Sequence, residues 1–180
     1  MKLSVEAKRF INNLGLEIIK VQLEKLDETI LGRYDGSKPG TILLNSELEY
    51  DQLSYDMTVV HEACHLLQWE QDTFFTFGYD EIDANLLKAK DSISKRAGTY
   101  RDVNSPVECD AELAVIRYLY ESQDFSTFKI QTYIILAAKN SREMENFMKI
   151  MKENKDFDKS FYNILDQIWQ LVVSTNGYSC

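Results

Sequence analysis

Apolar residues recur every three or four positions along most of this chain, and only one early stretch breaks that rhythm. Over residues 4–14, Ala7, Phe10, Ile11 and Leu14 fall on one stripe, the 3.6-residue period of a helix with one buried face. Ser4 stands where a side-chain oxygen can cap the first free amides, and Asn12, Asn13 and Gly15 mark the helix end. From 17 to 45 the texture changes. Ile18-Ile19-Lys20-Val21-Gln22-Leu23 is rich in β-branched residues and partly alternating, and Thr29-Ile30-Leu31-Gly32-Arg33-Tyr34 follows after a polar turn. The cluster Asp35-Gly36-Ser37-Lys38-Pro39-Gly40 then turns the chain into Thr41-Ile42-Leu43-Leu44-Asn45. Three short strands in an antiparallel β-meander are the economical expectation, with a helix across 17–26 as the alternative.

Beyond residue 45 the helical period takes over. Helices are expected over 51–69 and 80–96, followed by a loop over 98–105. Ser105 as cap and Pro106 at the first helical position open the next helix, which runs to about 121. Three more are expected over 126–139, 141–153 and 158–174. The pattern predicts an α+β fold: mostly helical, with a small N-terminal sheet packed beside the 51–69 helix. No repeat or linker divides the sequence, so a single domain over 1–180 is expected. It would comprise a helix and sheet over 1–45, central helices over 51–121 and C-terminal helices over 124–175.

Composition narrows the function classes. A formal net charge of −9 argues against nucleic acid as a partner, since phosphate contacts need clustered Lys and Arg. No run of apolar residues is long enough to cross a membrane, and the N-terminus lacks the apolar core of a signal peptide. Three cysteines without framework spacing suit a reducing compartment, and a cytoplasmic location is the expectation.

The chemistry concentrates in one word. Both histidines of the chain lie in His61-Glu62-Ala63-Cys64-His65, an HExxH sequence inside the expected 51–69 helix. Chance would place that word in only ~1 of several hundred chains of this length. Residues four apart share a helix face, so His61 and His65 can grip one metal ion while Glu62 points toward a water on it. Catalytic zinc generally takes three protein ligands plus water. With no third histidine, the remaining ligand must be a carboxylate or a thiolate. The best candidates lie in Pro106-Val107-Glu108-Cys109-Asp110-Ala111-Glu112. Cys64 and Cys109 could ligate as thiolates, although buried cysteines usually pack as small apolar side chains.

HExxH followed, on a later helix, by a glutamate with a small residue three positions on and an acid four positions on resembles the gluzincin metallopeptidases. The likeness is in style to small intracellular and phage-encoded enzymes, and covers about 29–119. It implies a zincin-like domain in which His61, His65 and Glu108 hold Zn2+ and Glu62 is the general base. Ala111 would then allow close helix approach, and Glu112, where aspartate is usual, would support a ligand histidine by hydrogen bonding. The helix geometry agrees: Glu108 and Glu112 share a face with Val115 and Leu119, and an acid on an apolar stripe needs a partner. Asp110 projects elsewhere and is expected to be solvated.

A peptide or protein substrate is expected, hydrolysed through zinc-activated water, with the strand over 41–45 as an edge to which an extended peptide can add. A further donor should stabilise the oxyanion, with Tyr100, Arg101 and Tyr178 as candidates. Two alternatives stay open. One is a metal-binding helical interaction module without hydrolytic activity, its C-terminal helices carrying Tyr, Phe and Trp169 toward a protein partner. The other is hydrolysis of a non-peptide bond.

Overall fold

The Ser4 hydroxyl accepts the Ala7 amide at 3.1 Å and opens helix α1, Val5–Asn13, burying Ala7, Phe10 and Ile11. Gly15, at φ +80°, closes it. Its amide returns to the Asn12 carbonyl at 2.9 Å and that of Leu16 to the Ile11 carbonyl at 3.3 Å, a Schellman ending that needs the left-handed conformation glycine adopts freely. The computed structural model describes residues 1–16, 19–70, 106–139, 142–153 and 157–175. The chain forms two compact units, Met1–Ile82 and Asp83–Cys180. The helix expected over 80–96 and the loop over 98–105 lie outside the described residues.

In the first unit, strands β1 (Lys20–Glu24), β2 (Gly32–Tyr34) and β3 (Thr41–Asn45) form one sheet in the order β1-β3-β2. β1 runs parallel to β3 and β2 antiparallel to it, so the sheet is mixed and the expected antiparallel meander is corrected. The reason lies in the connection between β1 and β2. Asn45, fully buried at the end of β3, accepts the Leu26 amide at 3.4 Å and donates to the Asp27 and Ile30 carbonyls, each at 3.0 Å. These bonds draw the 25–31 segment around the end of β3, and β2 lands on the far edge. All five residues of β3 are buried, which fits its unbroken apolar run: such a run marks a strand covered on both faces.

Helix α2, Gln52–Glu70, packs against β2, β3 and α1. Asp51 caps it by accepting the Ser54 amide at 2.7 Å. That bond chiefly holds the Asp51 carboxyl below the usual carboxylate range. The N-terminal segment is fastened to this helix as well, the Ser4 amide donating to Asp56 Oδ1 at 3.2 Å.

The second unit contains α3 (Pro106–Ser122), α4 (Phe125–Lys139), α5 (Arg142–Glu153) and α6 (Lys159–Thr175). α4 packs on α3 and α6, and α5 packs on the same two helices, enclosing Leu113, Ile116, Phe128, Leu136, Phe147, Phe161 and Leu165. Asp124 and Asp158 cap α4 and α6 through backbone amides. Trp169 is buried with this core. The described residues therefore form a mostly helical α+β chain with one small mixed sheet.

Candidate metal centre

The turn of α2 that carries HExxH brings the two imidazoles together: His61 Nε2 and His65 Nε2 lie 3.1 Å apart, with the rings nearly perpendicular at 85°. Two nitrogens bound to one tetrahedral zinc at about 2.0–2.1 Å are separated by roughly 3.3 Å, so this spacing is close to that of a ligand pair. His65 is buried and His61 half-buried. On its other side, His65 Nδ1 meets Gln68 Oε1 at 2.8 Å.

Glu108 sits half-buried in the first turn of α3. Among the described residues, His61, His65 and Glu108 are the one set of His, Cys, Asp and Glu side chains that could hold a metal ion, each offering one ligand atom. Two imidazole nitrogens and a carboxylate oxygen suit zinc, and the residues fit a divalent ion of that type. Cys64 and Cys109 are buried free thiols outside the group, and Cys64 Sγ instead accepts from Gln68 Nε2 at 3.7 Å.

Glu62, 2% exposed, is oriented by the sheet: its Oε2 accepts the Tyr34 amide of β2 at 2.8 Å. A buried carboxylate needs such partners, because leaving it unpaired is costly. Gly32 makes the approach possible. A Cβ there would meet Thr58 Cγ2 at 2.8 Å and Glu62 Cγ and Leu44 Cδ2 at 3.1 Å each, so only glycine lets β2 lie this close to α2.

Several expectations change. Strand β3 is central, with both backbone edges engaged, so it cannot accept an added peptide. The edge strand that reaches Glu62 is β2. Beside any role at the histidines, Glu112 pairs with Lys139, whose Nζ is 3.1 Å from Oε1. The residue bonded to the outer nitrogen of a candidate ligand is Gln68, which the sequence reading passed over. Its signal was its place three residues beyond His65, one turn further along the same helix. Asp110, expected in solvent, is fully buried. Tyr100, Arg101 and Tyr178 lie outside the described residues.

Compared with known proteins, the chain matches no family model, and no curated protein or solved structure matches it at a significant level. Among the described residues, no helix is long and apolar enough to cross a membrane.

Proposed function

We propose that this chain is a zinc-dependent peptidase, gluzincin-like in using His61, His65 and Glu108 as ligands and Glu62 as general base. The convergence of the two Nε2 atoms, 3.1 Å apart on one turn of α2, carries the reading. Three protein ligands leave one position open, as catalytic rather than structural zinc requires. When bound, zinc supplies Lewis acidity, polarising a carbonyl and bringing the pKa of water toward neutrality. Glu62 does the proton work: its carboxylate takes the proton of the attacking water and passes it to the leaving amine nitrogen. Its bond to the Tyr34 amide fixes the side chain for that transfer. A peptide is the favoured substrate because, among the described residues, β2 is an edge strand beside Glu62, and an extended chain lying along it would pass the base.

Elemental analysis of purified protein should find stoichiometric zinc, lost in His61→Ala. Glu62→Gln should keep zinc while cleavage of a fluorogenic peptide pool falls by ~10²–10⁴-fold. Wild-type protein that holds no zinc sinks the proposal. A second reading, a metal-binding interaction module, is favoured by Phe125, Ile130 and Ile134 on α4, each more than half exposed. It takes over if Glu62→Gln leaves every cleavage and cellular readout unchanged.

A further inference from the structure

In a parallel pair, a strand turns the N–H and C=O of every second residue toward its neighbour and those of the residues between away from it. The ends of β1 fix which are which. The Lys20 amide donates to the Gly40 carbonyl and the Ser46 amide to the Glu24 carbonyl, each at 2.9 Å, in the register Lys20↔Thr41 to Glu24↔Asn45. Lys20, Gln22 and Glu24 therefore bond toward β3, and the N–H and C=O groups of Val21 and Leu23 face the outer edge. Among the described residues no strand pairs with that edge. The side chains alternate in the same rhythm. Leu23 and Gly32 both oppose Leu44, and a Cβ on Gly32 would point at Thr58 of α2. Val21 and Leu23 thus lie on the face that carries α2, with Leu23 at its rim and 66% exposed. Lys20, Gln22 and Glu24 lie on the other face, Lys20 and Glu24 exposed.

An open edge invites another strand, and the residues of β1 say which. Reversed about Gln22, Lys20-Val21-Gln22-Leu23-Glu24 is its own complement: base against acid, aliphatic against aliphatic, amide against amide. We propose that β1 pairs antiparallel with β1 of a second copy of this chain about a twofold axis at Gln22, joining the two three-stranded sheets into one. Val21 then exchanges N–H···O=C bonds with Leu23 of the second copy, which uses the very groups left pointing outward. Lys20 faces Glu24 of the second copy on one side of the sheet, while Val21 and Leu23 pack across the junction on the other. Charge sets the register. Sliding one copy by two residues keeps the outward groups opposed but lays Lys20 against Gln22 or Leu26 and loses both ion pairs. Glu24 has a contact of its own, Arg33 Nη2 at 3.9 Å, but that pair is exposed and worth little, so the carboxylate can serve Lys20 as well. A net charge of −9 opposes self-association in general, whereas at this edge each acid meets a base. Two short strands bury too little surface for a permanent dimer, so the association is reversible. It leaves the outer edge of β2 open and does not rest on the metal-centre reading.

Sedimentation velocity on the full chain in low salt tests this. Wild type should pass from monomer to dimer, and no further, over about 10–500 μM. Val21→Pro removes an outward amide and none of the bonds to β3, and should stay monomeric. Lys20→Glu and Glu24→Lys each set like charges opposite one another at both ends of the pair, and each should weaken the dimer roughly tenfold or more. Mixed in equal amounts, these two variants should recover association, because the new acid of one then meets the new base of the other. That recovery is specific to the register centred on Gln22. A wild type that stays monomeric throughout, a dimer indifferent to Lys20→Glu, or a mixture no stronger than its components overturns the proposal, the first outcome leaving the edge to a different chain or to none. If Val21→Pro does not fold, the charge variants decide alone, since both substitutions fall on exposed side chains.

Discussion

Gly32→Ala is the sharpest test of how the base is positioned. The new methyl carbon would sit 2.8 Å from Thr58 Cγ2 and 3.1 Å from both Glu62 Cγ and Leu44 Cδ2. None of these neighbours yields easily. Thr58 is held by its hydroxyl bond to the Ser54 carbonyl at 2.8 Å, so rotating its methyl away breaks that bond. Leu44 is fully buried in the central strand. Overpacking of this kind costs ~1–3 kcal/mol. Alanine recovers ~0.4–1 kcal/mol by narrowing the unfolded ensemble. The net loss of about 1–2 kcal/mol corresponds to a fall of roughly 2–8 °C in Tm for a chain of this size. The relief available is for β2 to back away from α2 by a few tenths of an ångström, which lengthens the Tyr34 amide bond to Glu62. Neither histidine lies on β2, so zinc content should hold. Peptide cleavage should drop severalfold, because small errors in placing a catalytic group are expensive. Differential scanning fluorimetry, elemental analysis and hydrogen exchange at the Tyr34 amide read these three effects separately. A Gly32→Ala protein as stable as wild type, with unchanged protection at Tyr34, would show that β2 does not press on α2 as described.

Two other predictions concern the second unit. Lys139→Met removes the ammonium partner of the part-buried Glu112 carboxylate, 20% exposed, and should cost about 1–3 kcal/mol in urea unfolding. Adding Glu112→Leu should recover most of it, and a single variant as stable as wild type would refute the coupling. The Asp158 carboxyl is held below its usual range, first by the Phe161 backbone amide and then by the Arg117 guanidinium, against an opposing effect of burial. A lowered folded pKa gives stability that is present above the unfolded value, near ~3.9, and lost as pH falls through the folded value. Asp158→Asn should therefore trail wild type at neutral pH and converge with it in acid; a gap that stays constant down to pH ~2 contradicts this.

Most of the architecture was legible because it depends on local signals. Ser4 and Gly15 bracket α1 as capping rules require, and Pro106 opens α3. Each expected C-terminal helix lies within a residue or so of its observed bounds. Sheet topology was misread because strand order is a non-local property. The run Thr41-Ile42-Leu43-Leu44 did contain the clue, since an edge strand with one wet face would alternate, but a side-chain pattern cannot reveal that Asn45 would gather the 25–31 segment. At the site, the i, i+4 histidine spacing forecast a pair on one helix face, and helical geometry delivers it. The Lys139 partner of Glu112 could not be foreseen, because the two residues meet only through the packing of α4 on α3.

The buried polar residues of α2 separate into two kinds, and the difference bears on function. Asp56 and Thr58 are explained by construction: one receives the Ser4 amide and the Gln52 side chain, the other returns its hydroxyl to Ser54. They fasten the first half of the helix to itself and to the N-terminal segment. The second half carries a chain of contacts from His61 to His65, to Gln68 and on to Cys64, with Glu62 held by a strand amide beside it. Packing alone does not call for such a chain. Apolar side chains of similar volume would fill the same space at equal or greater stability, because satisfied buried polar groups do little more than offset their own desolvation. What the polar chain supplies, and leucines would not, is a set of nitrogen, oxygen and sulfur atoms held in fixed places around two imidazoles. A grouping of that kind around the His61–His65 pair is what a site able to hold a metal ion needs, and the proposed function builds on it.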